Sequence, residues 1–202
     1  YQFNNYTIQI DGRVATLPII NGEMLSIRCF QKTEKLDTLE RLGFSKRKLN
    51  EIRKTLKQPN GLILITGTTG SGKSTTLYAM LKELRKRHVI TMEDPVEKVI
   101  PEIIQTDINN KQGYTMETSL KAILRHNPDV IAVGEIRDRK TAEIVLHAAY
   151  TGHLVIASLH TNSVEATLLR LLNLGCSPFL ISYCLRAIIS QSLEYKDNIK
   201  LN

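Results

Sequence analysis

Hydrophobic residues follow two different patterns along the 202-residue chain. In residues 1–30 apolar and polar positions alternate, and the pairs Asp11-Gly12 and Asn21-Gly22 interrupt the alternation. Pairs of this kind favour the tight turns of β-hairpins, so the pattern predicts three antiparallel strands: Tyr6–Ile10, Arg13–Ile20 and Glu23–Phe30. Three strands alone make a poor domain, so we expect an antiparallel β remnant of a small N-terminal domain whose earlier part is absent.

From Leu36 onward, short runs that are apolar throughout alternate with segments of helical periodicity. The apolar runs predict buried strands at Leu62–Ile65, Val89–Met92, Val130–Val133 and Leu154–Ser158. The other segments predict helices at Ser74–Arg87, Met116–His126, Asp138–Tyr150 and Val164–Leu172. Such alternation is typical of an α/β fold with a mainly parallel sheet flanked by helices. We therefore predict that residues 1–34 end a small β-containing domain and its linker, and that residues 35–202 form the α/β domain.

The composition is that of an ordinary globular protein, with 42% hydrophobic and 23% charged residues. No apolar run approaches the length of about 18 residues that a membrane-spanning helix needs, and no secretory signal opens the sequence. We therefore expect a cytoplasmic protein. Its three cysteines are an odd number without a C-x-x-C pair, which argues against a disulfide framework and against a zinc site.

The formal net charge of +7 raises the question of an acidic partner such as nucleic acid or lipid. The basic residues fall mainly in Lys46–Lys57 and Lys82–Arg87, and in the first segment Leu49, Ile52 and Leu56 have helical spacing. The lysines and arginines then occupy the outer face of an amphipathic helix. No aromatic residues interleave with them to stack on bases. A solvated or subunit-facing surface is favoured over an acidic-lipid contact, and we expect no direct binding of nucleic acid.

A glycine-rich segment between a predicted strand and a predicted helix carries the clearest chemical signal. Gly67, Gly72, Lys73 and Ser74 match the pattern G-x-x-x-x-G-K-[ST]. Glycines let backbone N–H groups wrap closely around an anion, and the following helix directs the positive end of its dipole there. Lys73 can reach the β- and γ-phosphates of a nucleotide, and Ser74 is the expected Mg²⁺ ligand. The predicted phosphate-binding residues are Gly67, Thr68, Thr69, Gly70, Ser71, Gly72, Lys73, Ser74 and Thr75.

Acidic residues and a histidine follow the other predicted strands, at the ends where ligands bind in an open parallel sheet. Glu93, Asp94 and Glu97 follow one strand. Glu135 follows a second strand and His160 a third. Carboxylates in such positions orient Mg²⁺ or an attacking water, and a histidine can hydrogen-bond a γ-phosphate. The alternatives are that an acid after a strand only caps a helix and that a lone histidine is a surface residue. The predicted metal ligands are Ser74, Glu93, Asp94 and Glu135.

Four sequence blocks, taken in order, resemble the motifs of one family: GTTGSGKSTTLY, TMEDPVE, NPDVIAVGEIRD and TAEIVLHAAYTGHLVIASLHTNS. They are similar to the Walker A, Asp-box, atypical Walker B and His-box motifs of the ATPases that power type II secretion, type IV pilus extension and retraction, and competence pseudopili. RVATLPIINGEMLSIR is similar to the family's stretch before its interdomain linker. The resemblance implies a RecA-like P-loop NTPase core that uses ATP and Mg²⁺. It also implies a homohexamer at the inner face of the cell membrane, with a polytopic membrane platform protein as its partner.

The resemblance also implies a catalytic group of five residues: Glu135, Glu97, His160, Arg13 and Arg28. Glu135 and Glu97 are both candidates for the acid that polarises the attacking water, and Glu135 is favoured because it directly follows a strand beside the phosphates. His160 is expected to sense the γ-phosphate. Arg13 and Arg28 match arginines thought to reach the nucleotide across a domain or subunit boundary, and their alternative is a surface salt bridge.

Two departures from the family pattern bear on the subfamily. Residues 190–193 read SQSL, where an arginine commonly follows the glutamine, and the four-cysteine metal motif of many members is missing. We therefore expect the family's last helices to be absent or reduced, and we favour a compact ATPase of the Gram-positive competence type. An alternative function is a nucleotide-binding regulatory or scaffold module without turnover of its own. A kinase is disfavoured because the sequence contains no lid or acceptor-site motif.

Overall fold

The computed structural model describes residues 2–3, 6–7, 11–30 and 38–193, with the backbone alone before residue 14 and at residues 28–30. The chain divides into two compact units, Tyr1–Lys35 and Leu36–Asn202. Within the described residues, no helix combines the length and the apolar character that crossing a membrane requires.

The first unit contains a long β-hairpin and a separate pair of very short strands. The short strands, Gln2–Phe3 (β1) and Tyr6–Thr7 (β2), pair antiparallel. The hairpin consists of Asp11–Ile19 (β3) and Gly22–Phe30 (β4), which pair antiparallel without interruption. The expected antiparallel β element is therefore present as a two-stranded sheet.

The turns of this unit differ from the prediction. The hairpin turn lies at Ile20-Asn21, one residue before the predicted Asn21-Gly22. The prediction of a turn at Asp11-Gly12 is wrong, because both residues are extended and pair with β4. Cross-strand pairing along the whole hairpin overrides the local turn preference of this dipeptide. Part of the predicted first strand, residues 8–10, lies outside the described residues.

The second unit is built on a six-stranded sheet in which every ladder is parallel. Its strands are Gly61–Thr66 (β5), Val89–Glu93 (β6), Ile104–Asp107 (β7), Val130–Val133 (β8), Leu154–Leu159 (β9) and Leu185–Ser190 (β10). Their spatial order is β10-β5-β9-β8-β6-β7. The sequence predicts the four central strands because they are buried and apolar along their length. It misses β7 and β10 because these edge strands are only partly buried.

The described part of this unit contains six α-helices: Lys46–Leu56 (α1), Lys73–Glu83 (α2), Met116–Ile123 (α3), Arg139–Tyr150 (α4), Val164–Asn173 (α5) and Pro178–Cys184 (α6). Short 3₁₀ helices occupy Leu39–Leu42, Asn110–Gln112 and Leu124–His126. Polar side chains start several helices: Ser45, Asp138 and Ser163 each accept a hydrogen bond from a first-turn N–H. The predicted helix at Ser74–Arg87 ends early, at Glu83, where tighter turns replace it.

Helices cover both faces of the sheet. Neighbouring residues of β5 point to opposite faces, so Leu64 belongs to one apolar cluster and Ile65 to the other. Helices α3, α4, α5 and α6 complete the first cluster, and α1 and α2 complete the second. The predicted amphipathic character of α1 is confirmed by its buried residues, Leu49, Ile52 and Leu56. Because all six strands run in parallel, the carboxyl ends of the strands lie together at one edge of the sheet.

We expect Ile131→Ala to lower the free energy of unfolding by about 2–5 kcal/mol, because Ile131 is 0% exposed in β8 and its truncation leaves a cavity. Ile104→Ala is the matched control, since Ile104 is 52% exposed in edge strand β7 and its loss should cost about 1 kcal/mol or less. Urea unfolding of both variants measures the difference. Equal destabilisation would contradict the assignment of β8 to the centre of the core.

Candidate functional site

The loop between β5 and α2 turns too tightly for any residue but glycine at its first position. Gly67 has φ +157°, and a Cβ there would lie 2.3 Å from Ser71 Oγ and 2.5 Å from the Gln191 carbonyl oxygen. Gln191, which follows β10, also donates a hydrogen bond from Nε2 to the Ser71 carbonyl at 2.6 Å. The loop therefore packs tightly against its own residue Ser71, and a hydrogen bond from the residue after edge strand β10 holds it in place. Sequence reasoning missed the bracing by Gln191 because it also missed β10.

Lys73 turns its side chain back into this loop. Its ammonium donates to the carbonyls of Gly67 and Thr68, both at 2.9 Å, and the residue is only 8% exposed. Burial lowers the pKa of Lys73, and the nearby negative charge of Glu135 opposes the shift. The first N–H groups of any α-helix have no intrahelical acceptor. Gly72, which precedes α2, has no side chain that could accept from them. Positive charge and free N–H donors therefore converge at this loop.

A pocket of about 510 Å³ opens beside the loop, and its lining residues are Thr68, Thr69, His160, Thr161, Asn162 and Ala166. Of the predicted phosphate-binding residues, Thr68, Thr69, Gly70 and Ser74 are exposed. Ser71 is buried and its hydroxyl has no hydrogen-bond partner within the described residues. A closely wrapped loop with a buried ammonium and a polar mouth fits an anionic group such as a phosphate.

The segment that carries Glu135 is fixed between two neighbouring strands. Gly134 N–H donates to the Met92 carbonyl at 2.8 Å, and Ile136 N–H donates to the Ser158 carbonyl at 2.9 Å. Ser158 also donates its hydroxyl to the Gly134 carbonyl at 2.5 Å. The chain leaving β8 is therefore held by β6 on one side and β9 on the other. This places the Glu135 side chain, which is 24% exposed, next to the end of β9.

Five charged or titratable side chains form a continuous chain of contacts, which we call the charge network: Lys73, His160, Glu135, Arg137 and Asp94. Lys73 Nζ lies 3.3 Å from His160 Nδ1, and His160 Nε2 lies 3.2 Å from Glu135 Oε1. Arg137 Nε donates to Glu135 Oε2 at 2.8 Å, and a terminal nitrogen of Arg137 lies 2.9 Å from Asp94 Oδ2. The network follows the strand order β5-β9-β8-β6, since each contributing loop leaves one of these strands.

The contacts of His160 fix its tautomer. An ammonium can only donate, so Nδ1 must accept from Lys73, and Nε2 then carries the hydrogen that it donates to Glu135. The hydrogen bond to Glu135 in turn raises the pKa of Arg137, with Asp94 adding to the effect. Arg137 thus holds two carboxylates in place. The sequence indicated Arg137 only as part of a motif and gave no role for it.

Two predicted acids lie apart from the charge network. Glu93 is only 4% exposed, and its carboxylate accepts hydrogen bonds from Tyr78, Thr91 and Gln105. Three of the roughly four acceptor positions of this carboxylate are therefore engaged by protein donors. Glu97 is exposed, and its carboxylate accepts no hydrogen bond from the described residues.

The remaining predictions concern the arginines and the metal. Arg13 and Arg28 lie directly opposite each other in the β3–β4 ladder, and their side chains are outside the described part of the chain. Within the described residues, no three His, Cys, Asp or Glu side chains come together to hold a metal ion by themselves. Mg²⁺ usually takes one or two carboxylates together with substrate phosphates, so this ion does not require such a group of three.

Known proteins resemble this chain over most of its length. The family model described as type II/IV secretion system protein matches residues 3–197. Type II secretion system protein E of Pseudomonas aeruginosa is 46% identical over 187 residues, which cover 92% of this chain and 37% of the relative. The type IV pilus assembly ATPase PilB of Thermus thermophilus is 43% identical over 194 residues, which cover 95% of this chain and 22% of the relative.

Among solved structures, the pilus retraction motor PilT with bound ADP aligns with a TM-score of 0.72 and 32% identity, covering 93% of this chain and 60% of that one. This likeness confirms the predicted RecA-like core with its mainly parallel sheet. The chain spans 37% of the length of the Pseudomonas relative and 22% of the Thermus relative. With a family match that runs from residue 3 to residue 197, the chain belongs to the type II/IV secretion system protein family.

Proposed function

We propose that this chain carries the catalytic site of a Mg²⁺-dependent ATPase. The observation that supports this most is the charge network, which links the lysine inside the glycine loop to Glu135 through one histidine. A buried ammonium and a helix N-terminus bind phosphate groups. A carboxylate and a histidine beside them can accept a proton and contact the γ-phosphate, which are the groups that hydrolysis needs.

Each part of the site has a task in this proposal. Lys73 and the loop N–H groups bind the phosphates, and the hydrogen on Nε2 of His160, which Glu135 accepts here, is the one that His160 can donate to the γ-phosphate. Ser74 with Asp94 or Glu135 would hold Mg²⁺, which supplies positive charge against the phosphate oxygens. Arg137 keeps Glu135 and Asp94 oriented through its two ion pairs.

The geometry bears on which acid accepts the proton of the attacking water. The sequence favours Glu135, but both of its oxygens already contact other groups, Oε1 with His160 and Oε2 with Arg137. The Glu97 carboxylate is exposed and makes no such contact within the described residues. We therefore assign proton acceptance to Glu97 and assign to Glu135 the orientation of His160 and of the metal.

The wider role that we propose is a motor for a pilus-like or pseudopilus fibre, in secretion or in DNA uptake during competence. It is supported by the family and by two of its relatives, a pilus assembly ATPase and a pilus retraction motor. In this role the protein is a homohexamer in the cytoplasm, bound at the inner face of the membrane to a polytopic platform protein. The catalytic part of Arg13 and Arg28 stays a prediction from the family resemblance. The alternative is a nucleotide-binding scaffold module of the same apparatus, which would bind ATP without turnover.

Glu135→Gln should retain ATP binding and lower turnover by about 100-fold or more, because it removes the charge that orients His160 and the metal during hydrolysis. Lys73→Ala should weaken ATP binding by about tenfold or more, because it removes the ammonium from the loop. Phosphate release and titration with a fluorescent ATP analogue measure the two effects. Glu143→Gln and Lys140→Ala, exposed changes on α4, serve as controls. Parent-like turnover in both site variants would contradict the proposed site.

Gly67→Ala should weaken ATP binding by about tenfold or more, because its Cβ would collide with Ser71 Oγ and the Gln191 carbonyl and force the loop open. Gly113→Ala is the matched control. Gly113 also has positive φ, +80°, but open space surrounds the position. It should lose about 1 kcal/mol of stability and keep its affinity for ATP. Equal affinities of the two variants would show that the loop does not bind the nucleotide.

A further inference from the structure

A buried polar cluster lies between the nucleotide-binding helix and strands β6 and β7. We call it the Tyr78 cluster: Tyr78, Thr91, Glu93 and Gln105. The Tyr78 hydroxyl donates to Glu93 Oε2 at 2.5 Å, while Thr91 Oγ1 and Gln105 Nε2 donate to Glu93 Oε1 at 2.6 and 3.0 Å. Tyr78 is 9% and Glu93 4% exposed. A carboxylate this deeply buried is stable only because three donors satisfy it.

Two members of the cluster, Tyr78 and Gln105, also hold the main chain around Glu97. The Tyr78 oxygen accepts the Glu97 N–H at 3.3 Å. Gln105 contacts the next residues from both ends of its amide, donating to the Lys98 carbonyl at 2.9 Å and accepting the Ile100 N–H at 2.6 Å. The segment 97–100 contains no helix or strand, so these side chains take the place of regular backbone hydrogen bonds.

The chemistry of Tyr78 suits both of its contacts at once. Burial, and then the hydrogen bond to Glu93, raises the pKa of the Tyr78 hydroxyl above its ordinary value. The phenol therefore keeps its hydrogen near neutral pH, donates it to Glu93 and leaves an oxygen lone pair for the Glu97 N–H. Glu93 anchors this arrangement, because its carboxylate accepts the hydrogen bonds of Tyr78, Thr91 and Gln105.

We infer that Tyr78 is a positioning residue for Glu97. The inference rests on the proposed function, in which Glu97 accepts the proton of the attacking water. Tyr78 lies on α2, the helix that begins with Lys73, so one rigid element carries both the phosphate-binding lysine and the support of the Glu97 backbone. The hydrogen bond from the Glu97 N–H to Tyr78 thus fixes the distance between the phosphate-binding lysine and the segment that carries the acid. Small errors in such a distance slow the chemical step more than they weaken binding.

Tyr78→Phe tests the inference, with Thr91→Val as its matched control. Each change removes one of the three donors to Glu93, but only Tyr78→Phe removes the acceptor of the Glu97 N–H. In the full chain we expect Tyr78→Phe to lower kcat about tenfold and to leave KM for ATP within about twofold. Thr91→Val should keep kcat within about twofold. An equal fall of kcat in both variants would overturn the inference, because the effect would then come from Glu93 alone.

Hydrogen–deuterium exchange of peptides covering residues 96–100 gives a readout that does not depend on turnover. Exchange in this segment should become about tenfold faster in Tyr78→Phe and stay unchanged in Thr91→Val, because only the first change frees an amide there. Unchanged exchange in Tyr78→Phe would overturn the positioning role. If the parent does not hydrolyse ATP, the proposed function fails, and the exchange result still decides whether Tyr78 holds this segment.

Discussion

A lysine ammonium held almost out of water constrains the whole candidate site. Three acceptors take the three hydrogens of Lys73: the carbonyls of Gly67 and Thr68 and one nitrogen of His160. A buried charge is costly unless it is hydrogen-bonded in this way. The loop must therefore turn its carbonyls inward, which the backbone achieves only with glycine at its first position. The buried strand β5 and the start of α2 then fix where the loop begins and ends.

The order of the strands determines which side chains meet at this lysine. Strand β9 lies between β5 and β8, and its following residue His160 correspondingly lies between Lys73 and Glu135. Strand β6 lies beyond β8, and Asp94 after it is reached through Arg137. The order of contacts in the charge network therefore follows the spatial order of the strands. A core that holds six parallel strands in fixed register is what keeps contacts of about 3 Å between residues distant in sequence.

The central sheet and the phosphate loop could be predicted from the sequence because their signals are local. Apolar runs mark buried strands, and the spacing of Gly67, Gly72 and Lys73 has few structural meanings. The place of Glu93 could not be predicted, since its partners Tyr78 and Gln105 are 15 and 12 residues away in the chain and meet it only in the folded sheet. The same holds for Gln191, which reaches Ser71 over 120 residues through an edge strand without a clear pattern. At Asp11-Gly12 a local turn signal failed because strand pairing outweighed it.

We propose above that this site hydrolyses ATP within a multisubunit assembly. Phosphate release from ATP with Mg²⁺, measured over a series of protein concentrations with light scattering on the same samples, tests it most directly. We expect turnover per subunit to rise with concentration, and to do so together with a species of hexamer mass. A monomer that binds ATP and releases no phosphate at any concentration would rule out such a motor and would favour a scaffold module.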